Sequence, residues 1–506
     1  MQEGTGLKQG NDGQSMWLFW SCFIALVATS FGFIVRTQII GDWGVQFNLT
    51  ETQKGEILGV GLWPFALSII LFSLVIDRIG YGTAMIFAFI CHISSAIITI
   101  FADGYNMLYV ATFIFALGCG TVEAVINPVV ATVYSKEKTK WLNILHAGWP
   151  GGLVLGGFLA LIMGPHVDWR WKVGLILIPT VIYGIMLLRC KWPVQERVQA
   201  GVSYKEMLQE AGVIGAAIVI IIMMMEIGRL AELSTLTEVI LAAILIIAYG
   251  IYVRSWGQPL FIFLLLIMIP LATTELGTDS WVTELVIPVM SGLGIQPGWI
   301  LVYTSLIMMI LRFFAGPIVE RLQPLGMLAT CAAIACLGLI FLSKAVGFWI
   351  FLAATVYGVG KTFFWPTMLG VVSEQFPKGG ALTINATGGM GMVSVGVIGA
   401  VLLGNIQDNK VETDLLAKSP QIHQEVVGNE QLSIFGYYHP ILPDKVAQLP
   451  DNEKQVVNDI RATAKQRALF TVAIFPFIML ICYLILIIYF RSKGGYKPVE
   501  LESKTS

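Results

Sequence analysis

Long apolar stretches separated by short polar ones follow one another along this chain of 506 residues. Each stretch is about 20 residues long, the length a helix needs to cross the hydrocarbon core of a bilayer. About fourteen of them can be distinguished, and each predicts a membrane-spanning helix. They lie at 17–40, 55–76, 83–102, 107–134, 142–164, 173–190, 211–228, 236–254, 259–286, 298–318, 325–343, 347–373, 382–404 and 467–490. The pattern predicts an all-α polytopic membrane protein.

Composition agrees with this prediction and excludes several classes of function. The chain is 56% hydrophobic and 12% charged, about half the charged fraction of a soluble protein. Its formal net charge is -1, so no basic excess indicates nucleic acid. The seven cysteines lie in or beside apolar segments without the spacing of a metal site. We expect a lipid bilayer as the environment, no cofactor, no metal and no requirement for an oligomer.

The second part of the chain repeats the first. QKGEIL near the start of the second apolar stretch matches QPGWIL, and Asn127-Pro128 aligns with Trp365-Pro366 at nearly the same offset. The repeat predicts two six-helix bundles related by a pseudo-twofold axis along the membrane normal, with an inserted helix pair between them. The predicted parts are a tail at 1–16, a bundle at 17–190, a linker at 191–258 with the inserted pair 211–228 and 236–254, a bundle at 259–490 with a long loop at 405–466, and a tail at 491–506.

Orientation follows from the basic residues in the short loops. Most Lys and Arg residues of these loops fall on the side that also holds both termini. Cytoplasmic loops carry an excess of Lys and Arg. Both termini are therefore expected in the cytoplasm, with the loop 405–466 outside.

Two polar pairs end corresponding apolar helices. They are Asp77-Arg78 in VIDRIGYG and Glu320-Arg321 in GPIVERLQPLG. These stretches resemble the loop motif of the major facilitator superfamily, although Ser73 replaces its leading glycine and Tyr81-Gly82 replaces its trailing basic pair. The resemblance implies that these four residues stabilise one end state of an alternating-access cycle.

A second resemblance lies in the fourth apolar stretch and the one after it. GCGTVEAVINP followed by WLNILHAGWPGG is similar to the corresponding region of the fucose/proton symporter group. By this resemblance, Glu123 would contact a sugar and influence proton coupling. The group also carries an acidic coupling residue on its first helix, where this sequence offers Arg36, Thr37 and Gln38.

Charged residues inside apolar segments are costly and are functional candidates by default. Six meet this description: Arg36, Glu123, Glu275, Asp279, Arg312 and Lys361. The repeat superposes Glu123 on Lys361, which predicts an ion pair across a central cavity. Asn127 and Trp365 are further candidates because they occupy matched positions beside the repeated proline, whereas the lone His146 is expected to be structural.

The other charged residues have more than one possible partner. Arg36 falls in register with Asp279, and Glu275 lies one turn before Asp279 on the same helix face. Both carboxylates are therefore candidates for binding a proton or for a salt bridge to Arg36. Arg312 is expected to pair with one of these carboxylates or to bind an anion.

Two functions remain open at this point, and neither is enzymatic, because no phosphate-binding loop, metal site or nucleophilic triad is visible. The leading hypothesis is a secondary transporter that moves a small polar solute, most simply a sugar, together with protons. The alternative is a transporter or exchanger of small organic anions or sugar acids, bound by Arg36, Arg312 and Lys361.

Overall fold

The architecture is almost entirely helical. The computed structural model describes residues 12–49, 51–164, 166–278, 286, 290–395, 400–433 and 436–501. Within these ranges, eleven helices are long and apolar enough to cross a membrane by length and composition. This agrees with the predicted class, while the number fourteen and the pseudo-twofold remain predictions.

The described residues of the first part of the chain, 12–49, 51–164 and 166–190, form nine helices. They are α1 (Asp12–Gln46), α2 (Glu51–Gly59), α3 (Trp63–Ile79), α4 (Tyr81–Ile100), α5 (Tyr105–Val133), α6 (Lys138–Leu145), α7 (Gly148–Met163), α8 (Trp169–Gly174) and α9 (Leu177–Leu187). We call the face where α1 begins the terminal face. Because successive spans cross the membrane in alternate directions, α5 ends at this face and α6 begins there. The chain therefore turns at this face between Glu123 on α5 and His146, which directly follows α6.

The segment predicted to hold the inserted pair contains two long helices. It consists of α11 (Tyr204–Leu230) and α12 (Thr235–Val253), which follow the short α10 (Glu196–Gln199). A capping box between Ser203 and Glu206 begins α11. Gly212 bends it, with φ +59, and a Cβ there would lie 2.0 Å from the backbone nitrogen of Gly257. Only glycine allows this conformation and this close approach.

Two helices of the second part of the chain are interrupted near predicted site residues. Its helices are α13 (Pro259–Ala272), α14 (Trp299–Phe313), α15 (Ala315–Leu342), α16 (Trp349–Lys361), α17 (Phe364–Gln375) and α18 (Gly380–Val393). A π-helical turn at Thr273–Gly277 follows α13, and Thr362 and Phe363 separate α16 from α17. Both breaks lie beside predicted site residues, and breaks inside spans are typical of functional positions.

Small residues allow close packing in the first bundle. Gly148, Gly152, Gly156 and Ala160 recur every four residues on α7. A Cβ at Gly152 would lie 2.0 Å from Ser30 Oγ and 2.4 Å from the carbonyl oxygen of Val27 on α1. The stripe therefore packs directly against α1, as small-residue stripes do in membranes.

The segment predicted as a polar loop folds into a small unit of its own. It contains α19 (Ala400–Lys418), α20 (Pro420–Val426), an antiparallel pair of β1 (Gln431–Ser433) and β2 (Gly436–Tyr438), α21 (Pro443–Gln448) and α22 (Asp451–Val472). We call it the distal subdomain. The polar helix predicted before the last span is α22, and the last span is α23 (Ile474–Ser492). Apolar side chains of the subdomain form a separate cluster that includes Val411, Leu415, Val426, Val457 and Ile460.

Candidate functional site

A narrow cavity of about 30 Å³ lies between the two parts of the chain. Its lining combines four polar side chains with aromatic and apolar ones. The lining residues are Phe65, Glu123, His146, Trp149, Glu275, Leu276, Arg312, Trp365 and Met392. Four predicted site residues therefore meet at one place, although they lie up to 242 positions apart in sequence, from Glu123 to Trp365.

The first part of the chain contributes a hydrogen-bonded carboxylate. Asn127 lies one turn after Glu123 on α5, and its amide nitrogen donates to Glu123 Oε2 at 2.6 Å. The side-chain oxygen Oδ1 of Asn127 lies 2.9 Å from Nε2 of His146. The same His146 nitrogen lies 4.0 Å from Oε2 of Glu123. Glu123 is 5% exposed. Its neighbours in this group are thus neutral unless His146 is protonated.

The second part contributes an ion pair. Arg312, near the end of α14, donates from Nη2 to Glu275 Oε1 at 2.8 Å. It also donates from Nε to the carbonyl oxygen of Thr362 at 2.7 Å. The other oxygen of Glu275 accepts the backbone N–H of Trp365 at 3.0 Å. The break before α17 makes this last bond possible, because backbone N–H groups in the first turn of a helix have no partner within it.

A hydrogen bond joins the Glu123 group to the Arg312–Glu275 ion pair. Arg312 Nη1 donates to the carbonyl oxygen of His146 at 2.8 Å. Since His146 also contacts Asn127, a short path runs from Glu123 through Asn127, His146 and Arg312 to Glu275. A rearrangement of either carboxylate can therefore reach the other through these contacts.

The predicted pairs are realised only in part. Arg312 does pair with Glu275. Among the described contacts, Glu123 and Lys361 do not form an ion pair, and the Glu123 carboxylate accepts a hydrogen bond from Asn127 instead. The Lys361 ammonium lies 5.4 Å from the centre of the Tyr357 ring. Asp279 is outside the described residues.

Arg36 is placed away from this cavity. Its guanidinium donates to Ser95 Oγ at 2.7 Å and to the carbonyl oxygen of Gly32 at 3.1 Å, and it lies 4.0 Å from the centre of the Phe115 ring. Its described contacts lie within the first part of the chain. The predicted contact with Glu275 is therefore not made, because Glu275 faces Arg312 instead.

His146 and Trp149 are site residues that the sequence did not identify. A lone histidine near a helix start gives no signal by itself. The useful signal was its place in HAGWPGG, a glycine-rich stretch at the start of α7, which follows the Glu123 helix after the short α6.

The loop-motif residues lie apart from the cavity. Asp77 forms an ion pair with Arg197, and the Arg78 guanidinium lies 5.1 Å from the centre of the Tyr204 ring. Both partners belong to the segment after α9. Glu320 and Arg321 are exposed.

Comparison with known sequences identifies the family. The sequence model of the Major Facilitator Superfamily matches residues 17–400. The chain belongs to this superfamily. It is accordingly an integral membrane protein of a superfamily of transporters.

Curated relatives match parts of the chain at low identity. A protein TsgA homolog of Buchnera aphidicola is 23% identical over 181 residues, which cover 35% of this chain and 47% of that protein. Organic cation/carnitine transporter 7 of Arabidopsis thaliana is 22% identical over 151 residues, 29% of each protein. The chain thus spans less than half the length of these relatives.

Solved superfamily structures match most of the chain and show its fold. The E. coli fucose:proton symporter FucP has a TM-score of 0.55 and 15% identity, covering 92% of this chain and 98% of that one. The proton:xylose symporter XylE has a TM-score of 0.60 and 13% identity, with 94% and 96% coverage. The human organic anion transporter MFSD10 has a TM-score of 0.60 and 11% identity, with 92% and 99% coverage.

Proposed function

We propose that this protein moves a small neutral polar solute, most simply a sugar, together with a proton, by alternating access. The observation that carries the proposal is the difference between the surroundings of two carboxylates in the cavity. Glu275 pairs directly with Arg312 at 2.8 Å, whereas the nearest described side-chain partners of Glu123 are Asn127 at 2.6 Å and His146 at 4.0 Å. The membrane in this proposal is a bacterial inner membrane, with the terminal face on the cytoplasmic side.

The cavity chemistry favours a neutral solute. Arg312 already makes three hydrogen bonds, so its charge is engaged within the protein. Trp149 and Trp365 supply aromatic surface, and the polar groups between them can bind hydroxyl groups. With a volume of about 30 Å³ the cavity has room for about two water molecules in this state, so in this proposal it widens during alternating access to admit the solute.

Glu123 is the residue that we assign to the proton. A carboxylate inside the membrane is costly when it is charged and unpaired. Protonation removes that cost, and a hydroxyl group of the solute can then replace Asn127 as its partner. Asn127 and His146 would orient the carboxyl group, while Lys361 and Asp279 remain candidates for the same coupling network.

Uptake into proteoliposomes tests this proposal. Labelled fucose, xylose and other neutral sugars are offered with and without an inward proton gradient, using wild type, Glu123→Gln and Glu137→Gln. Glu137 is a matched control because it lies between α5 and α6 and bonds Lys140. We expect one sugar to accumulate with the gradient in wild type and Glu137→Gln, and only to equilibrate in Glu123→Gln. Gradient-independent accumulation in wild type would exclude proton coupling.

Transport of organic anions is the second candidate, because Arg312 lines the cavity and one similar structure is that of an organic anion transporter. An anion would have to compete with Glu275 for Arg312. Arg36 does not line the cavity, which weakens its part in this alternative. If uronates, but not neutral hexoses, competed with the labelled solute for uptake, that result would favour the anion transporter.

A further inference from the structure

The two parts of the chain meet at the terminal face through Glu374. Thr139 on α6 donates from its backbone N–H at 3.1 Å and from its hydroxyl at 2.6 Å to Glu374 Oε1 on α17. Gly370 packs against the same threonine, where a Cβ would lie 2.3 Å from its hydroxyl. We call these three residues the terminal gate. As Glu374 is only 6% exposed, its carboxylate depends on protein donors.

The other oxygen of Glu374 is held by the C-terminal segment. Tyr496 donates its hydroxyl to Glu374 Oε2 at 2.6 Å. The backbone N–H of Val499 donates to the carbonyl oxygen of Glu374 at 2.8 Å. The neighbouring Gln375 donates its side-chain amide to the carbonyl oxygen of Lys497 at 2.9 Å. Three hydrogen bonds thus fix residues 493–501, which we call the tail segment, to the end of α17.

The path of the tail segment is built into its sequence. Gly494 and Gly495 follow α23 with φ of +88 and +101, a region that favours glycine, and they turn the chain back toward α17. The Tyr496 ring then packs edge-on against Phe490, with 5.2 Å between ring centres. Burial and the charge of Glu374 raise the pKa of Tyr496 well above its ordinary value. Its hydroxyl therefore remains a proton donor.

We propose that the tail segment is a working part of the terminal gate. Tyr496 acts as a positioning residue: it orients the carboxylate of Glu374 so that Oε1 faces Thr139, and this stabilises the closed terminal face. Without the phenol, Glu374 can turn toward water and release Thr139. The closed and open states would then shift in population. The proposal concerns opening of the gate and holds for any transported solute.

A labelling experiment measures gate opening without a solute. Ala131 is 4% exposed and borders a small cavity beside the gate, together with Lys138 and Ser373. A cysteine at this position should react with an impermeant maleimide when the terminal gate opens. The reagent is added to sealed vesicles that expose the terminal face, and labelling of the native cysteines is subtracted using the parent protein.

Tyr496→Phe is the decisive variant, because it removes one hydroxyl and keeps the ring on Phe490. We expect labelling at Ala131→Cys to become about tenfold faster, as for the loss of one hydrogen bond to a charged group. Tyr489→Phe is the matched control on α23 and should leave the rate unchanged. In a Glu374→Ala background, Tyr496→Phe should add nothing further, since the phenol acts through that carboxylate.

Two results would overturn the proposal. The first is an unchanged labelling rate in Tyr496→Phe while Thr139→Val accelerates labelling, which would make the tail segment a passive attachment. The second is an equal acceleration by Tyr496→Phe with and without Glu374. Thermal unfolding of each variant is measured in parallel, so that a general loss of structure is recognised. Failure of sugar uptake would leave these outcomes unaffected.

Discussion

Glu123 and Glu275 border the same cavity from different parts of the chain, and their surroundings differ. Glu275 accepts hydrogen bonds from a guanidinium and from a backbone N–H. Glu123 accepts one from a neutral amide and has a histidine 4.0 Å away. An ion pair with three further anchors is typical of a fixed element, whereas a carboxylate with neutral partners can change its protonation. The comparison separates a scaffold from a coupling residue.

The largest expected effect is on stability, from Arg312→Gln. The substitution leaves Glu275 as a buried charge without its cation and removes the bond to His146. We expect a loss of about 3–5 kcal/mol of unfolding free energy, measured by chemical unfolding in detergent. The double variant Arg312→Met with Glu275→Leu should recover most of this loss. Equal stability of the single variant and wild type would show that the pair is not a scaffold.

Asn127→Leu should have a smaller effect. It removes the donor to Glu123 and the partner of His146, so two buried polar groups lose a neighbour. A loss of about 1–3 kcal/mol is expected from the same unfolding assay. Asn127→Asp provides the contrast, because it keeps the shape but places a second carboxyl group beside the first. If Asn127→Leu lowered the free energy of unfolding as much as Arg312→Gln, the proposed difference between the surroundings of Glu123 and Glu275 would be contradicted.

Glu123→Gln should change stability by less than about 1 kcal/mol. The amide oxygen can still accept from Asn127, and no cation is left unpaired. This variant should nevertheless lose gradient-driven accumulation, as described above. The pairing of normal stability with lost coupling is the signature of a coupling residue, and a strongly destabilised variant would contradict it.

Glu137→Gln should have the smallest effect on stability. The hydrogen bond from Lys140 lowers the pKa of Glu137, so any stabilisation is present at neutral pH and is lost as the pH falls through the lowered pKa. Because the side chain is about half exposed, the change should be below about 0.5 kcal/mol. Thermal midpoints at neutral and acidic pH check this, and a clear shift at neutral pH would disqualify this residue as a control.

The sequence was informative where a charge interrupts an apolar helix. Glu123, Glu275 and Arg312 were found in this way, and all three line the cavity. The predicted pair of Glu123 with Lys361 is not formed in this structure, since a repeat aligns positions but not side chains. The place of Arg36 could not be predicted, since periodicity in an apolar helix does not show which side faces a cavity. His146 was missed because its role depends on residues from another helix.

The same reasoning applies to the fold. Apolar length predicted the membrane helices and the inserted pair, since the bilayer imposes a length that can be read directly. The distal subdomain was predicted only as a loop with one polar helix. Its small core is built from apolar residues scattered through a polar segment, so it gives no continuous signal.

The distal subdomain also has a mechanical consequence. The 22 residues of α22 extend about 33 Å, and a single residue, Ala473, separates this helix from α23. A rotation of the last membrane helix is therefore carried outward along a rod. A tilt of about 10° would displace Asp451 at the far end by about 6 Å. A fluorophore attached at Asp451 would therefore report a small rearrangement within the bilayer as a change in distance that optical methods can resolve.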